Sequence, residues 1–405
     1  MATKQASIQN PAPPADAPAR IAPLRQTDEF DRKVWSVLGV PVDALDPQSA
    51  VAAIERAARD GERLSFVTPN VNFLVRATCS PEERRRLVDA DLSFVDGAPL
   101  VAIGRLLGMK GLTRCAGSDV FDALRRRPAF AGRRIRVFFF GGREGAAEAA
   151  AAELARENRG LEAVGALNPG FGDLESISTA AVIDAINAAR PDFLIVALGA
   201  SKGQEWIDAN LDRLNAPVVA HLGAVVDFTA GSIARAPVFF RRAGLEWAWR
   251  IAAEPSLWRR YWNDACALAA IVFTRLTPAL GAGRRSGVPA SAALSSESGV
   301  VRIALGGDLC ADDLAPVRSA FRAAGRGAGD VILDFTQAGA VDAAFLGLAL
   351  VLEKALRRRG AVIRIAGASP AHRRLLKAHA MTYEPASSGA PKAGENVDVS
   401  IAAAR

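Results

Sequence analysis

The sequence predicts an α/β protein in which a parallel sheet, covered by helices on both faces, precedes a second, smaller α/β unit. Three observations predict this division. Short β-branched or aromatic runs alternate with Ala-rich helical stretches over 34–230, the pattern of βαβ units. The stretch 279–299 has the Gly, Ser, Ala and Pro content of a flexible linker. Strand–helix alternation then resumes over 300–384.

The elements of both units follow from these runs in chain order. In the first unit we predict strands at 65–67, 92–95, 136–140, 161–165, 193–198 and 218–222, with helices such as 145–157 and 179–189 between them. In the second unit we predict strands at 301–305, 331–335 and 362–366, and helices at 314–324, 344–358 and 370–380. The ends, 1–30 and 385–405, are Pro-, Ala- and Ser-rich and are predicted to be disordered.

Composition excludes several classes of protein. Half of the 405 residues are apolar and 23% are charged, which excludes collagen-like, coiled-coil and wholly disordered chains. The net charge is +7, and all but seven of the fifty basic residues are Arg, which favours phosphorylated ligands, an anionic membrane or nucleic acid. The four Cys are far apart and His occurs three times, so we expect no metal centre and a reducing cytoplasm. No apolar run reaches 18 residues, so we expect a soluble or peripheral protein.

Two predicted strands end in glycines that open a helix. In 137–145 the glycines Gly141 and Gly142 would let the backbone approach a phosphate at a helix N-terminus. In 193–205 a glycine is followed by Lys202, Gln204 and Glu205 at the predicted carboxyl edge, where open α/β sheets bind ligands. Ordinary strand-to-helix turns fit both stretches as well, and the dinucleotide fingerprint G-x-G-x-x-G is missing.

Two other strand ends carry groups suited to proton transfer. Asp96 follows the predicted strand 92–95, and a carboxylate held there and partly desolvated suits a general base. Thr68 follows the strand 65–67, and Pro69 biases it towards an extended backbone. A plain Asp-Gly turn is the alternative for Asp96.

The stretch 235–278 differs from its surroundings because it holds four of the six Trp. Trp258 and Trp262 are four residues apart and share one helix face, with Arg259 and Arg260 beside them. Aromatic rings and cations together are typical of helices that lie at a membrane surface. A surface helix that packs its Trp into the core is the alternative.

Taken together, these motifs resemble the WecG/TagA/CpsF family of bacterial glycosyltransferases (glycosyltransferase family 26). The resemblance covers about 34–260 and implies a Rossmann-like catalytic domain over 31–234 with a helical appendage over 235–278. The motifs that carry it are Thr68-x-Asn70, Ala90-Asp-Leu with Asp96-Gly97, Arg114-x-x-Gly117-x-Asp119, Phe140-Gly-Gly142, Leu198-Gly with Gln204-Glu205, Gly223 with Asp227, Gly231 and Arg235-Ala-Pro237, and Glu246-Trp247 with Arg250, Glu254-Pro255 and Arg260-Tyr261.

The resemblance implies an inverting transferase that moves a hexose-type sugar from a UDP-sugar to a polyprenyl-diphosphate-linked sugar at the inner face of the cell membrane. It implies no metal-binding Asp-x-Asp and no cofactor. N-acetylmannosamine, its uronic acid and glucose are all open as the sugar. Asp96 would be the base, with Thr68 beside it. The residues implied to bind substrate are Asn70, Arg114, Asp119, Gly141, Gly142, Lys202, Gln204, Glu205, Asp227, Arg235, Arg250, Arg259 and Arg260.

One motif departs from the family pattern Gly-x-Pro-Lys-Gln-Glu. Here it reads Gly-Ala-Ser-Lys-Gly-Gln-Glu over 199–205, so Ser201 stands where Pro is usual and Gly203 is inserted. This departure leaves open the positions of the Lys202 and Gln204 side chains. It also leaves open the identity of the donor sugar.

The unit at 300–384 resembles a STAS domain. The motifs are Leu305-Gly-Gly-Asp-Leu309, Val331-Ile-Leu-Asp-Phe335, Val341-Asp342 and the strand around 359–366. Regulatory STAS domains carry a phosphorylatable Ser where this chain has Ala343 and Ala344, so we expect docking to a protein partner or self-association instead of a phosphorylation switch. The alternative function is a catalytically inactive scaffold of a polysaccharide assembly complex. Nucleic-acid binding finds no support, because the Arg residues form no extended stripe.

Overall fold

The computed structural model describes residues 28–128, 132–242, 244–280, 285–297 and 299–386. Nearly all of the predicted tails, 1–30 and 385–405, lies outside these ranges. The fold is α/β, as predicted, with a six-stranded parallel sheet in the first unit and a five-stranded mixed sheet in the second.

The first unit begins with an antiparallel hairpin and continues into the parallel sheet. The hairpin is β1 (Val34–Val37) and β2 (Val40–Asp43). The sheet contains β3 (Leu64–Val67), β4 (Leu92–Ser93), β5 (Ile135–Gly141), β6 (Leu161–Leu167), β7 (Phe193–Ala197) and β8 (Val218–His221). Its spatial order is β4-β3-β8-β7-β5-β6, so β4 is an edge strand and the carboxyl ends of all six strands share one edge.

Helices cover both faces of this sheet. They are α1 (Pro47–Asp60), α2 (Val71–Cys79), α3 (Pro81–Asp89), α4 (Ala98–Leu106), α5 (Gly117–Arg126), α6 (Ala146–Glu157), α7 (Ala180–Ala188), α8 (Ala200–Asn210) and α9 (Gly223–Thr229). Local sequence explains their ends: α1 starts after Asp46, which accepts from the Ser49 amide, and stops at Gly61 in the left-handed region. The core beneath includes the clustered rings of Phe66, Phe94 and Phe193.

The Trp- and Arg-rich stretch forms a helical appendage, as the resemblance implies. It consists of α10 (Val238–Arg242), α11 (Glu246–Ala253) and α12 (Trp258–Ile271), which continues through a π-helical turn, Val272–Leu276, into α13 (Thr277–Leu280). Trp247, Trp258 and Trp262 are each about half exposed or more, at 49%, 53% and 64%, so these rings are not core residues. Within the described residues, no helix is long and apolar enough to span a membrane.

The second unit is a sheet with helices on it. Its elements are β9 (Ser291–Glu297), β10 (Val300–Leu309), α14 (Ala315–Arg326), β11 (Val331–Val341), α15 (Ala343–Arg357), β12 (Ile363–Ala366), α16 (Pro370–Ala378) and β13 (Glu384–Pro385). The order is β13-β12-β11-β10-β9, and only β9 is antiparallel to its neighbour. β9 lies within 279–299, where we predict a linker, and its pairing with β10 makes that part of the stretch an edge strand.

The two units share one hydrophobic core. Helix α15 packs on β1, and a Cβ on Gly347 would overlap the carbonyl oxygen of Val34. The shared apolar cluster includes Val37, Leu348 and Leu352. The second unit is therefore docked on the first through the hairpin.

Candidate active site

Asp96 and Thr68 lie together at the carboxyl edge of the sheet. Strand β4 pairs with β3, and beyond the paired residues the Asp96 amide donates to the carbonyl of Pro69 at 2.8 Å. Thr68 lies against the start of α5, where a Cβ on Gly117 would be 3.1 Å from its Cγ2. Two adjacent strand ends thus hold a carboxylate and a hydroxyl in one corner.

A single guanidinium serves three carboxylates in this corner. Nε of Arg114 lies 3.3 Å from Oδ1 of Asp96, Nη1 lies 2.8 Å from Asp119, and Nη2 lies 2.6 Å from Glu246. Burial, together with the nearby charges of Glu246 and Asp119, raises the pKa of Asp96 to about 6 against the opposing effect of Arg114. The Asp96 side chain still keeps 29% exposure. It is therefore accessible and has a pKa suited to proton transfer near neutral pH.

The appendage closes over this corner through ion pairs of Glu246 and Arg235. Glu246, at the start of α11, supplies the pair with Arg114 described above. Arg235 bonds to Asp119 and Asp122, and to the Ser118 hydroxyl at 3.1 Å. The site is thus built from both the sheet and the appendage.

A cavity of about 250 Å³ lies beside the appendage, lined by Arg143, Arg250, Glu254 and the 232–234 turn. Asp227 is next to these Arg residues; burial raises its pKa, while Arg143 and Arg250 oppose the rise. Its Oδ1 is buried and has no hydrogen-bond partner among the described residues. A buried oxygen of this kind calls for a donor, and a ligand hydroxyl or N–H would supply one.

The ring of Phe228 links this cavity to the Asp96 corner. The Arg250 guanidinium lies 5.6 Å from the ring centroid and that of Arg235 lies 6.0 Å from it. Since Arg235 also bonds to Asp119, the cavity and the Asp96 corner adjoin.

Close packing explains both glycines of the turn at the end of β5. Gly141 and Gly142 have φ of 93° and 98°, in the region that favours glycine. A Cβ on Gly141 would lie 2.7 Å from the Ala197 carbonyl oxygen, and one on Gly142 would lie 3.1 Å from Val226. The turn brings the backbone next to Arg143 of the cavity.

The residues of the altered motif are on α8. Lys202 bonds to the Gly172 carbonyl, Gln204 is buried, and Glu205 lies 3.6 Å from Arg86. Gly203 packs so closely on His221 that a Cβ would overlap the imidazole ring. This packing explains why a glycine stands at 203. None of these contacts is to Asp96, Thr68 or Arg114.

The contacts of three further residues that the resemblance implies to bind substrate are as follows. Asn70 is the N-cap of α2, and its Oδ1 accepts from the amides of Asn72 and Phe73 at 3.0 and 3.3 Å. Arg259 and Arg260 are exposed on α12, over the rings of Trp258 and Tyr261.

Two residues at this edge were not among the predicted site residues. Glu246 was part of a quoted motif, but only the fold shows that it shares Arg114 with Asp96. His221 ends β8, and burial, with a smaller effect of Arg76, lowers its pKa to about 4, so it is neutral near pH 7. Its Nε2 is buried without a partner among the described residues. The sequence signal that could have identified His221 is its position near the end of a predicted strand.

Comparison with known proteins agrees with this architecture. Residues 35–280 match the model of the glycosyl transferase WecG/TagA/CpsF family, and residues 292–382 match the Mlab, STAS domain. An N-acetylglucosaminyldiphosphoundecaprenol N-acetyl-beta-D-mannosaminyltransferase from Bacillus spizizenii is 30% identical over 222 residues, 54% of this chain and 84% of its own length. A Staphylococcus aureus protein of the same name is 26% identical over 226 residues, 55% of this chain and 85% of its own.

The matched family segment covers the sheet, the Asp96 corner and the appendage in one stretch. The chain therefore belongs to the WecG/TagA/CpsF family of glycosyl transferases, with a STAS domain following the transferase segment.

Proposed function

We propose that the chain transfers a hexose-type sugar from a UDP-sugar to a polyprenyl-diphosphate-linked glycan, with inversion and without a metal ion. The sugar is N-acetylmannosamine, its uronic acid or glucose. The named relatives, which are N-acetylmannosaminyltransferases acting on N-acetylglucosaminyldiphosphoundecaprenol, support the first sugar and this kind of acceptor.

The observation that carries this proposal is the position of Asp96, a partly accessible carboxylate beside Thr68 at the carboxyl edge of the sheet, and its raised pKa supports it. Near neutral pH the carboxylate is ionised yet basic enough to accept the proton of an acceptor hydroxyl. The acceptor oxygen bonds to the anomeric carbon as the bond from that carbon to the UDP oxygen breaks, and the electron pair leaves with UDP. A single displacement of this kind inverts the anomeric centre. We infer that the Thr68 hydroxyl, beside this carboxylate, orients the acceptor.

The cavity beside the appendage is our candidate for the donor diphosphate. Arg143 and Arg250 are at its wall, and guanidinium groups stabilise the charge that develops on a leaving diphosphate. The unpartnered Oδ1 of Asp227 would accept from a donor hydroxyl or N–H. Arg143 pairs with Glu254 at 2.9 Å, so a bound diphosphate would compete with that carboxylate. We propose that the two Arg take the place of a divalent cation at the leaving group.

The exposed rings of the appendage suit a lipid-linked acceptor. Trp258 and Trp262 stand out beside Arg259 and Arg260 on α12, and such a surface binds the interfacial region of an anionic membrane. We propose peripheral attachment there, which brings the polyprenyl diphosphate to the Asp96 corner.

UDP release tests the proposal. Purified full-length protein is given a polyprenyl-diphosphate-sugar analogue and a panel of UDP-sugars, with and without EDTA. We expect turnover with one donor, resistance to EDTA, and a loss of about 10²–10⁴-fold in kcat for Asp96→Asn. Asp212→Asn, at an exposed carboxylate, is the matched control and should retain wild-type turnover.

Two outcomes would contradict parts of this proposal. Loss of turnover in EDTA that Mg²⁺ restores would contradict the metal-free step. No turnover with any donor, from folded protein, would favour the scaffold function.

A further inference from the structure

Lys354 is a buried cation that crosses from the second unit to the first. It lies on α15 with 0% side-chain exposure, and a lysine is almost never fully buried unless it is paired. Its Nζ lies 3.0 Å from Oδ1 of Asp91, 3.2 Å from the carbonyl oxygen of Ala90 and 3.2 Å from Glu29. Ala90 and Asp91 directly precede β4, and Glu29 precedes β1, so all three partners belong to the first unit.

Asp91 also bonds to Ser65 and so connects Lys354 to β3. Its Oδ2 accepts from the amide of Ser65 at 2.9 Å and from the Ser65 hydroxyl at 3.0 Å, and its own amide donates to the Ser65 carbonyl at 2.8 Å. Burial would raise the pKa of Asp91, but Lys354 and Ser65 outweigh burial and hold it below its ordinary value. Asp91 is therefore an ionised bridge between Lys354 and the start of β3.

The two strands that Asp91 joins are the ones that end at the active site. Thr68 is three residues beyond Ser65, and Asp96 is five residues beyond Asp91. β4 has only two residues and lies at the sheet edge, and on either side of it the backbone bonds from Asp91 to Ser65 and from Phe94 to Val67 continue its contact with β3. Side chains add two anchors to this backbone pairing: Asp91 bonds to Ser65, and Asp43 accepts from the Ser93 amide at 2.7 Å.

Around Lys354, charged side chains of α15 pair with oppositely charged side chains of the first unit. Arg84 of α3 makes a two-pronged pair with Glu353 of α15 at 2.9 and 3.0 Å, and Arg357 pairs with Asp89. The Tyr383 hydroxyl donates to Glu353 at 3.1 Å. Helix α15 thus has a partner inside the same molecule.

We propose that the STAS-like unit is a positioning element of the active site, in which Lys354 acts through Asp91 to hold the strand ends that carry Thr68 and Asp96. Its catalytic consequence rests on the proposed function. Lys354 touches no substrate in this arrangement and is a positioning residue. Arg358 lies further from Asp91, at 3.8 Å, and is 53% exposed, so it replaces Lys354 poorly.

Hydrogen exchange on the full chain, followed by mass spectrometry, tests the positioning role without relying on turnover. In Lys354→Met we expect exchange in the segments 64–70 and 91–97 to be at least about tenfold faster, with 135–141 in β5 unchanged. We also expect kcat for UDP release to fall at least about tenfold, with the donor KM nearly unchanged, because a small misplacement of a base is costly. Tyr383→Phe removes a hydrogen bond from the same interface but spares Lys354 and Asp91, and should behave as wild type in both measurements.

Exchange at 64–70 and 91–97 that matches wild type, or that rises equally in 135–141, would overturn the positioning role. If Lys354→Met does not fold, Ser65→Ala provides the second test, since it removes both bonds that the Ser65 hydroxyl makes with Asp91 and leaves the bond from the Ser65 amide in place. Faster local exchange in Ser65→Ala is expected, and unchanged exchange would overturn the proposal. If wild type itself releases no UDP, the proposed function fails, while the exchange comparison still decides whether Lys354 positions these strands.

Discussion

Arg114 lies 3.3 Å from Asp96, and yet the pKa of Asp96 is raised to about 6. A lone cation so close would hold a carboxyl pKa below its usual range. Here burial is the larger effect, and Asp119 and Glu246 both share the cation and add negative charge. The basicity of Asp96 is therefore set jointly by the sheet and by the appendage, which supplies Glu246.

Glu246→Gln should lower the pKa of Asp96. The substitution removes a negative charge that raises this pKa and leaves Arg114 more available to Asp96. Asp96 must be ionised to accept a proton, so kcat/KM should rise with pH through about 6 in wild type and at lower pH in the variant. A pH profile of kcat/KM measures this. Glu162→Gln, at a carboxylate 45% exposed on β6, is the control, and a Glu246→Gln profile that superimposes on it would contradict the coupling.

Arg250→Met should weaken donor binding. The side chain lines the cavity and lies near Asp227, whose Oδ1 is buried, and charge-assisted hydrogen bonds to phosphate contribute about 1.5–3 kcal/mol. We therefore expect the donor KM to rise by about 10- to 100-fold. Steady-state kinetics with a varied UDP-sugar measure this. Arg156→Met removes an Arg that is 75% exposed and should leave KM unchanged; equal effects of the two variants would contradict a diphosphate site in the cavity.

Local patterns predict most of the sheet but not the hairpin. Every strand predicted from the sequence overlaps an observed strand, because β3 and β5–β8 are short apolar or β-branched runs between helical stretches. The sequence does not predict β1 and β2, because α15 covers the hairpin: five of the eight residues of the two strands are apolar, and no alternation marks a solvent face. The edge strand β9 lies where the sequence predicts a linker, because five of its seven residues are Ser or Ala, the composition of a flexible linker.

The sequence predicts which site residues lie at strand ends, but it does not predict which side chains contact one another. Asp96 and Thr68 follow predicted strands, so their meeting at one edge follows from parallel topology. Arg114 and Glu246, by contrast, are 132 residues apart, and no local pattern indicates that they meet. The same holds for Lys354 and Asp91, which are 263 residues apart.

Replacing Trp258, Arg259, Arg260 and Trp262 together with Ser should weaken binding to anionic vesicles. Each Arg near such a surface contributes about 1 kcal/mol, so the two Arg alone account for roughly thirtyfold, and losing the exposed Trp rings adds to this. Vesicle flotation measures the binding. Arg126→Ser with Arg156→Ser removes the same charge from other exposed positions and should bind as wild type. Unchanged flotation of the fourfold variant would contradict membrane attachment through α12.

Gly347→Ala should loosen the docking of the second unit. A Cβ there would overlap the Val34 carbonyl oxygen, and forced repacking costs about 1–3 kcal/mol, less a gain of up to about 1 kcal/mol in helix propensity. Urea unfolding should show the net loss. Gly327→Ala is the matched control, because a Cβ there would meet its nearest atom at 3.6 Å and φ is −71°. A Gly347→Ala variant as stable as Gly327→Ala would contradict the close packing of α15 on β1.

The interface between the units should weaken at acid pH through His379. Burial, with a smaller effect of Arg275, lowers the pKa of His379 to about 3, and its Nδ1 lies 2.8 Å from the Ser36 hydroxyl of β1. An unfolded His has a pKa of about 6.5. Between these values the unfolded chain binds more protons, so stability is complete above about pH 6.5 and falls as the pH drops towards 3.

From pH 7 to pH 5 this one group should cost about 2 kcal/mol of unfolding free energy. His221 and Asp91 change in the same direction, so the comparison must be with His379→Asn, whose amide reaches the position of Nδ1 and does not titrate. Urea unfolding at both pH values should show a smaller acid loss in the variant than in wild type, by about that amount. Equal losses in the two proteins would mean that His379 is not held neutral between the units.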